Sequence, residues 1–248
     1  MVETDFSPEW LERIDAAERL AEAGCIRLQK YFPQWNIQVE ASAANPALAL
    51  LEKAKAWPAD LIVVGTHGRS ALSRVVLGSV SLKVVREAPC SVRVGRLRQS
   101  EGPVRLLIGN DGSSEAAAVI DEICRRSWPA GAEVRILAVH ESFVATNAER
   151  ISLDPHVYDK INEDEHFRLR LASSKAEEKL RHSGLVVSSI VEEGDPKEAL
   201  VRQARDWKAD TVLIGARGMG KVERFLLGSV SSATVAHAPC TVEIVRAR

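Results

Sequence analysis

The sequence has no run of about 18 apolar residues, so no membrane-spanning helix is expected. Its opening residues, MVETDFSPEW, combine no basic start with an apolar core and do not read as a signal peptide. The formal net charge is −1, which leaves no global basic field for nucleic acid or an anionic membrane. Four cysteines (Cys25, Cys90, Cys124, Cys240) form no C-x-x-C pair and hold no zinc-finger spacing with histidine. They read as free thiols, with Cys90 and Cys240 as small buried hydrophobes, and a reducing cytoplasm is the expected location. The six histidines show no H-x-x-x-H or H-E-x-x-H spacing, which argues against imidazole-based metal catalysis. What is present is an ordinary globular mixture, 46% hydrophobic and 27% charged. Its 248 residues suffice for one large domain or two small ones.

The chain repeats itself. GTHGRSALSRVVLGSV (65–80) and GARGMGKVERFLLGSV (215–230) both read G-x-x-G-x9-G-S, at an offset of 150 positions. The same offset places Pro46 on Pro196, Trp57 on Trp207 and the APC at 88–90 on that at 238–240, without a gap from about residue 30 to 94. We read a tandem duplication with units 1–98 and 102–248.

The second unit alternates strands with helices. Apolar runs at 104–109, 132–139, 185–191, 209–215 and 240–245 read as strands. Helical spacing recurs at 114–127, capped by Ser113 or Ser114, at 160–184, at 196–207 behind Pro196, and at 229–238. The polar stretch from His140 to about Tyr158 reads as a long loop. Strand–helix alternation predicts a mostly parallel sheet covered on both faces, with ligands beyond the carboxyl ends of its strands. The first unit is shorter. Residues 8–32 match the long helix of the second unit, and everything equivalent to 104–150, two strands and one helix, is missing before it. The competing reading makes Asp5 a strand-end aspartate, with only MVE ahead of it to form the strand.

A glycine after a parallel strand permits positive φ and removes the Cβ that would block a ligand. Successive backbone N–H groups then converge on an anion, and Gly228 with Ser229 opens a helix whose positive end favours phosphate. Ser229 and Ser231 can add hydroxyl donors. The alternative is that the glycines serve only a tight turn and close packing. GARGMGKV (215–222) is not a P-loop, since Val222 stands where magnesium needs a serine or threonine hydroxyl. Lys221 and Arg217 are either cations for a phosphate or solvated loop charges. Asp111 is equally suited to hold a ribose or magnesium and to form an Asx-turn.

With Asp111 after the first strand and Gly215-x-x-Gly218-x9-Gly228-Ser229 after the fourth, the second unit resembles the universal stress protein family. GSVSSATVAHAPCTVEIV and GSVSLKVVREAPCSVRV extend the likeness to the end of both units. The resemblance implies an α/β fold of tandem units, the second with a parallel five-stranded sheet in the order 3-2-1-4-5. It also implies a site for ATP with Mg (or Mn), made of Asp111, Val139, Gly215, Gly218, Gly228, Ser229, Val230 and Ser231. Asp111 would lie at the adenosine and metal end, Val139 would border the adenine, and the glycine loop would hold ribose and phosphates. Gly65, Gly68, Gly78 and Ser79 would be a vestigial site in the first unit. The family's fifth strands pair across dimers, which implies pairing of 91–94 with 241–245 within this chain and self-association between chains. Loss of strands 1 and 2 would leave strand 3 of the first unit detached. Either it pairs anew, another chain fills the gap, or the natural start lies upstream of Met1.

The function expected is an ATP-binding stress-response protein acting as a nucleotide sensor, with slow hydrolysis at most, since no catalytic base emerges. One alternative is an interaction module that binds no nucleotide. Another is an ATP-dependent enzyme, but the chain lacks the S-G-G-x-D-S and H-I-G-H sequences such ligases and nucleotidyltransferases need.

Overall fold

A computed structural model of the chain describes residues 8–66, 77–98, 101–142, 155–218 and 227–247. By packing it divides into two compact units, Met1–Lys53 and Ala54–Arg248. This division is distinct from the sequence repeat.

The first compact unit holds α1 (Pro8–Tyr31) and the start of α2 (Pro46–Ala56). Gln29 closes the end of α1 by donating to the Pro33 carbonyl at 2.9 Å, and the rings of Phe32 and Trp35 stack at 4.2 Å. Asn45 opens α2 by accepting the Ala47 N–H at 3.1 Å. Residues 36–43, the counterpart of the second repeat's third strand, form no strand. Asp5 lies outside the described residues.

The second compact unit is built on one seven-stranded sheet. Its strands are β1 (Leu61–Gly65), β2 (Ser91–Gly95), β3 (Arg105–Gly109), β4 (Glu133–His140), β5 (Val186–Glu193), β6 (Thr211–Gly215) and β7 (Thr241–Val245). The helices between them are α3 (Ser79–Glu87), α4 (Ser114–Arg125), α5 (Pro155–His182), α6 (Pro196–Asp206) and α7 (Ser229–His237). The strand order is β1-β2-β7-β6-β3-β4-β5. Read from the far edge, β5-β4-β3-β6-β7 is the expected order 3-2-1-4-5, all parallel. One expectation fails: α5 begins at Pro155, so the stretch read as a loop to Tyr158 ends earlier.

The parallel strands are buried on both faces, which is why they read as continuous apolar runs. Leu106 and Ile108 enter a core with Val119, Ile120 and Ile123 of α4 and Leu180 of α5. Leu107, between them, is also fully buried and points to the opposite face. Each such side chain stabilises the fold by about 1.5–3 kcal/mol.

The repeats join where β2 pairs antiparallel with β7, in the register Val92↔Ile244, Arg93↔Glu243, Val94↔Val242. Glu243 is fully buried there. Its carboxylate takes Arg93 at 2.6 Å and Arg126, just past α4, at 2.6 and 3.0 Å. Burial alone would raise its pKa, but the bonds from Arg126 and Arg93 outweigh it and hold the carboxyl below the ordinary range. Two further arginines cross the junction reciprocally. Arg96 donates to the carbonyls of Val235 at 2.8 Å and Cys240 at 3.1 Å, closing the end of α7. Arg246 donates to those of Val85, Ala88 and Arg86 at 2.8, 2.9 and 3.2 Å, closing the end of α3. Since β2 lies between β1 and β7, and β7 between β2 and β6, neither fifth strand keeps an open edge for a second chain.

Candidate functional site

Strand order reverses between β3 and β6, so the loops leaving their carboxyl ends part and open a cavity of about 890 Å³. That volume lies within the range of small-molecule sites. Its apolar wall comes from Leu137 and Val139 of β4, Ile161 and Leu169 of α5, and Leu200 of α6. The polar end is made by Asp111, the Gly215–Gly218 turn and the start of α7. Asp111, Val139, Gly215, Gly218, Gly228, Ser229, Val230 and Ser231 all line this one cavity.

Each part follows from local chemistry. After β3 the chain turns through two side-chain bonds, Asn110 Oδ1 accepting the Gly112 N–H at 3.2 Å and Asp111 Oδ1 accepting the Ser113 N–H at 2.9 Å. Asp111 therefore forms the Asx-turn that was one of its two readings. Its other oxygen, Oδ2, lies 2.5 Å from where a Cβ on Gly218 would stand. Ser113 caps α4 through the Ala116 N–H at 3.2 Å. Gly112 has φ +76°, and a side chain there would also strike the Arg168 guanidinium.

The three loop glycines have different reasons to be glycine. A Cβ at Gly215 would sit 2.6 Å from Cβ of Glu115, so this residue lets the first turn of α4 approach β6. At Gly218 it would collide with the Asp111 carboxylate. At Gly228 the nearest atom is 3.4 Å away, an ordinary contact. Gly228 N–H donates to the Ala216 carbonyl at 2.8 Å, and the helix behind it has no side-chain cap. The first-turn N–H groups of α7 thus face the cavity with the positive end of the helix dipole. The Ser231 hydroxyl donates to the Gly215 carbonyl at 2.8 Å, so it ties the loop together and is not a spare donor. The Ser229 side chain is exposed.

Sequence reasoning missed several cavity residues. Arg168 and Glu165 of α5 pair at 2.6 Å. The bond from Arg168 holds the Glu165 carboxyl below its ordinary range, and the same bond raises the Arg168 guanidinium. His140 ends β4 buried, its ring 6.1 Å from that of His166. Arg217, read as either a phosphate ligand or a solvated charge, instead pairs with Glu115 at 2.8 Å. Arg168 and Glu165 sit on a charged helix, where one charged residue in sequence looks like any other. Lys221 lies outside the described residues.

The first repeat holds a matching half. The Ser81 hydroxyl donates to the Gly65 carbonyl at 2.6 Å and the Gly78 N–H to the Thr66 carbonyl at 2.8 Å. Ser79 opens α3, which again has no side-chain cap. Gly68 lies outside the described residues. No strand of the first repeat stands beside β1 to carry an aspartate, among the described residues.

A nucleotide with magnesium fits these groups. The uncapped helix start and the glycines of the turn suit phosphates, and the apolar wall suits a base. Magnesium bound through phosphates needs only one or two carboxylates. Asp111 is one, and no group of three or more metal-ligating side chains gathers among the described residues. All four cysteines are free, and no described helix is long and apolar enough to cross a membrane. Cys90 and Cys240 are buried one residue ahead of β2 and β7.

Comparison with known proteins agrees with this architecture. The model of the universal stress protein family matches residues 3–96 and 104–246. A universal stress protein of Mycobacterium tuberculosis is 33% identical over 196 residues, 76% of this chain and 62% of the relative. The chain thus spans about three-fifths of the length of that relative. A putative universal stress protein of Staphylococcus epidermidis is 33% identical over 144 residues, 57% of this chain and 82% of its own. The solved universal stress protein of Archaeoglobus fulgidus shares the fold with a TM-score of 0.59 at 19% identity, over 99% of this chain and 82% of that one. A putative universal stress protein of Pseudomonas aeruginosa does so at 0.64 and 14%, over 91% and 78%. With one matched segment on each repeat and relatives at 33% identity, the chain belongs to the universal stress protein family as a tandem member.

Proposed function

We propose that this stress protein binds one adenine nucleotide per chain, ATP with Mg, in the cavity of the second repeat, and acts as a nucleotide-dependent regulator in the cytoplasm. The observation that carries the reading is that the eight residues singled out from the sequence line a single cavity at the strand-order reversal. In this reading Leu137, Val139 and Leu169 enclose the base, Asp111 holds the ribose and metal end, and the start of α7 with the Gly215–Gly218 turn receives the phosphates. The metal would supply positive charge between the phosphates and Asp111. Gly65, Gly68, Gly78 and Ser79 are a vestige: the helix start at Gly78 and Ser79 persists, but among the described residues no strand carries an aspartate or a base wall. The two repeats are taken as 1–98 and 102–248.

The test is to denature the purified protein, quantify released nucleotide by ion exchange, and titrate nucleotide-free protein with Mg-ATP in a calorimeter. About one adenylate per chain supports the reading, and two would give the first repeat a working site. No nucleotide and no heat would favour a module that works through protein contacts alone.

A further inference from the structure

Arg217 and Glu115 form an ion pair at the polar end of the cavity, with the guanidinium 2.8 Å from Glu115 Oε1. Glu115 Oε2 also accepts the Ser114 hydroxyl at 2.9 Å, so the carboxylate is held in place. Both side chains are largely sheltered, 25% and 15% exposed, so the pair is not a loose surface contact. Its two ends belong to different parts of the site. The Arg217 backbone lies against the cap of α7, its Cα 3.5 Å from where a Cβ on Gly228 would be. Glu115 stands in the first turn of α4, packed on Gly215. Arg217 therefore sits beside one uncapped helix start while its charge is turned toward another helix. The other arginine on the cavity, Arg168, is likewise held by a carboxylate, Glu165.

We infer that Glu115 sets how tightly the nucleotide site holds a polyphosphate, occupying Arg217 until the polyphosphate competes for it. The inference rests on the nucleotide reading above. A guanidinium binds carboxylate and phosphate through the same paired N–H geometry, so one can replace the other with little rearrangement. A ligand with several phosphates carries enough charge to draw Arg217 away, whereas a nucleoside offers nothing to exchange for Glu115. Arg217 thus favours ligands that carry phosphates, and Glu115 tempers that preference by lowering affinity for the polyphosphate that Arg217 then helps to hold.

Calorimetric titrations of the full chain with Mg-ATP and with adenosine test this. Glu115→Gln keeps the shape and removes the competing charge. It is expected to tighten Mg-ATP by roughly 5- to 10-fold and to leave adenosine unchanged. Arg217→Gln is expected to weaken Mg-ATP by roughly 10-fold, again sparing adenosine. In the double variant the Glu115→Gln gain should shrink, because no guanidinium remains to be released. If the parent binds Mg-ATP and Glu115→Gln binds it equally, or shifts both ligands alike, the competing role of Glu115 is wrong and the nucleotide reading stands. If the parent binds neither ligand, the nucleotide reading fails and takes this inference with it.

Discussion

Arg93 and Glu243 hold the same place in the two repeats and face each other across the β2–β7 ladder. They mark the local twofold axis of the chain. In a symmetric pair of identical units this position would set a residue against its own copy, and a buried carboxylate would then meet a carboxylate. Duplication lets one side be basic and the other acidic, and Arg126 adds a second cation.

Glu243→Gln should destabilise the protein by about 3 kcal/mol in urea unfolding, because two guanidiniums lose a buried counter-charge. The pH dependence follows from the depressed folded-state value. The carboxylate's contribution is complete above the ordinary carboxylate range and is lost as pH falls through the lower folded value. The gap between parent and variant should therefore hold at neutral pH and close below pH ~4. A gap that stayed constant down to pH 2 would show that the charge plays no part.

The glycines of the loop separate by what a Cβ would meet. Gly215→Ala should cost about 1–3 kcal/mol, since Glu115 Cβ would stand at 2.6 Å. Gly228→Ala, with 3.4 Å of room, should melt within a degree or two of the parent. Equal melting temperatures for the two variants would remove the packing argument.

Gly218→Val should retain the fold, because the position is exposed, and lose Mg-ATP binding, because the new side chain displaces the Asp111 carboxylate. Circular dichroism and calorimetry on the same sample decide it. Unaltered affinity would mean that Asp111 is only a turn former.

Burial pushes the Cys240 thiol up to about 11 and raises that of Cys90 too. At pH 8 a maleimide should modify Cys25 and Cys124, both partly exposed, well before these two, with peptide mass mapping as the readout. Rapid labelling of Cys240 in folded protein would contradict its burial.

Much of this was legible because the repeat states it twice. The offset of 150, the glycine spacing and the apolar runs marked the elements, and the family resemblance those motifs carry implied the strand order and the β2–β7 pairing. Pro155 was a legible signal that went unread, a proline suited to the first turn of a helix. The third strand expected of the first unit, at 36–43 by equivalence, does not form, because a strand needs neighbours for its N–H and C=O groups and the described residues of that repeat supply none. The pair Arg217–Glu115 was not legible, because it depends on the loop after β6 meeting the start of α4 in the fold, whereas Arg168–Glu165 has the i,i+3 spacing of neighbours on one helix and could have been read. Arg96 and Arg246 were halfway: their matching positions are visible, but that each serves the other repeat's helix is a property of the assembled sheet.

That reciprocity bears on how the protein is made. Arg246 finishes α3, yet it is synthesised 150 residues after its counterpart Arg96. At ribosomal rates that is a wait of roughly 8–30 s. Throughout it, the carbonyls at the end of α3 and one whole side of β2 stand open on the nascent chain. The first repeat leaves the ribosome as a template that only the last strand can complete, so its exposure to aggregation and to chaperones is set by translation speed.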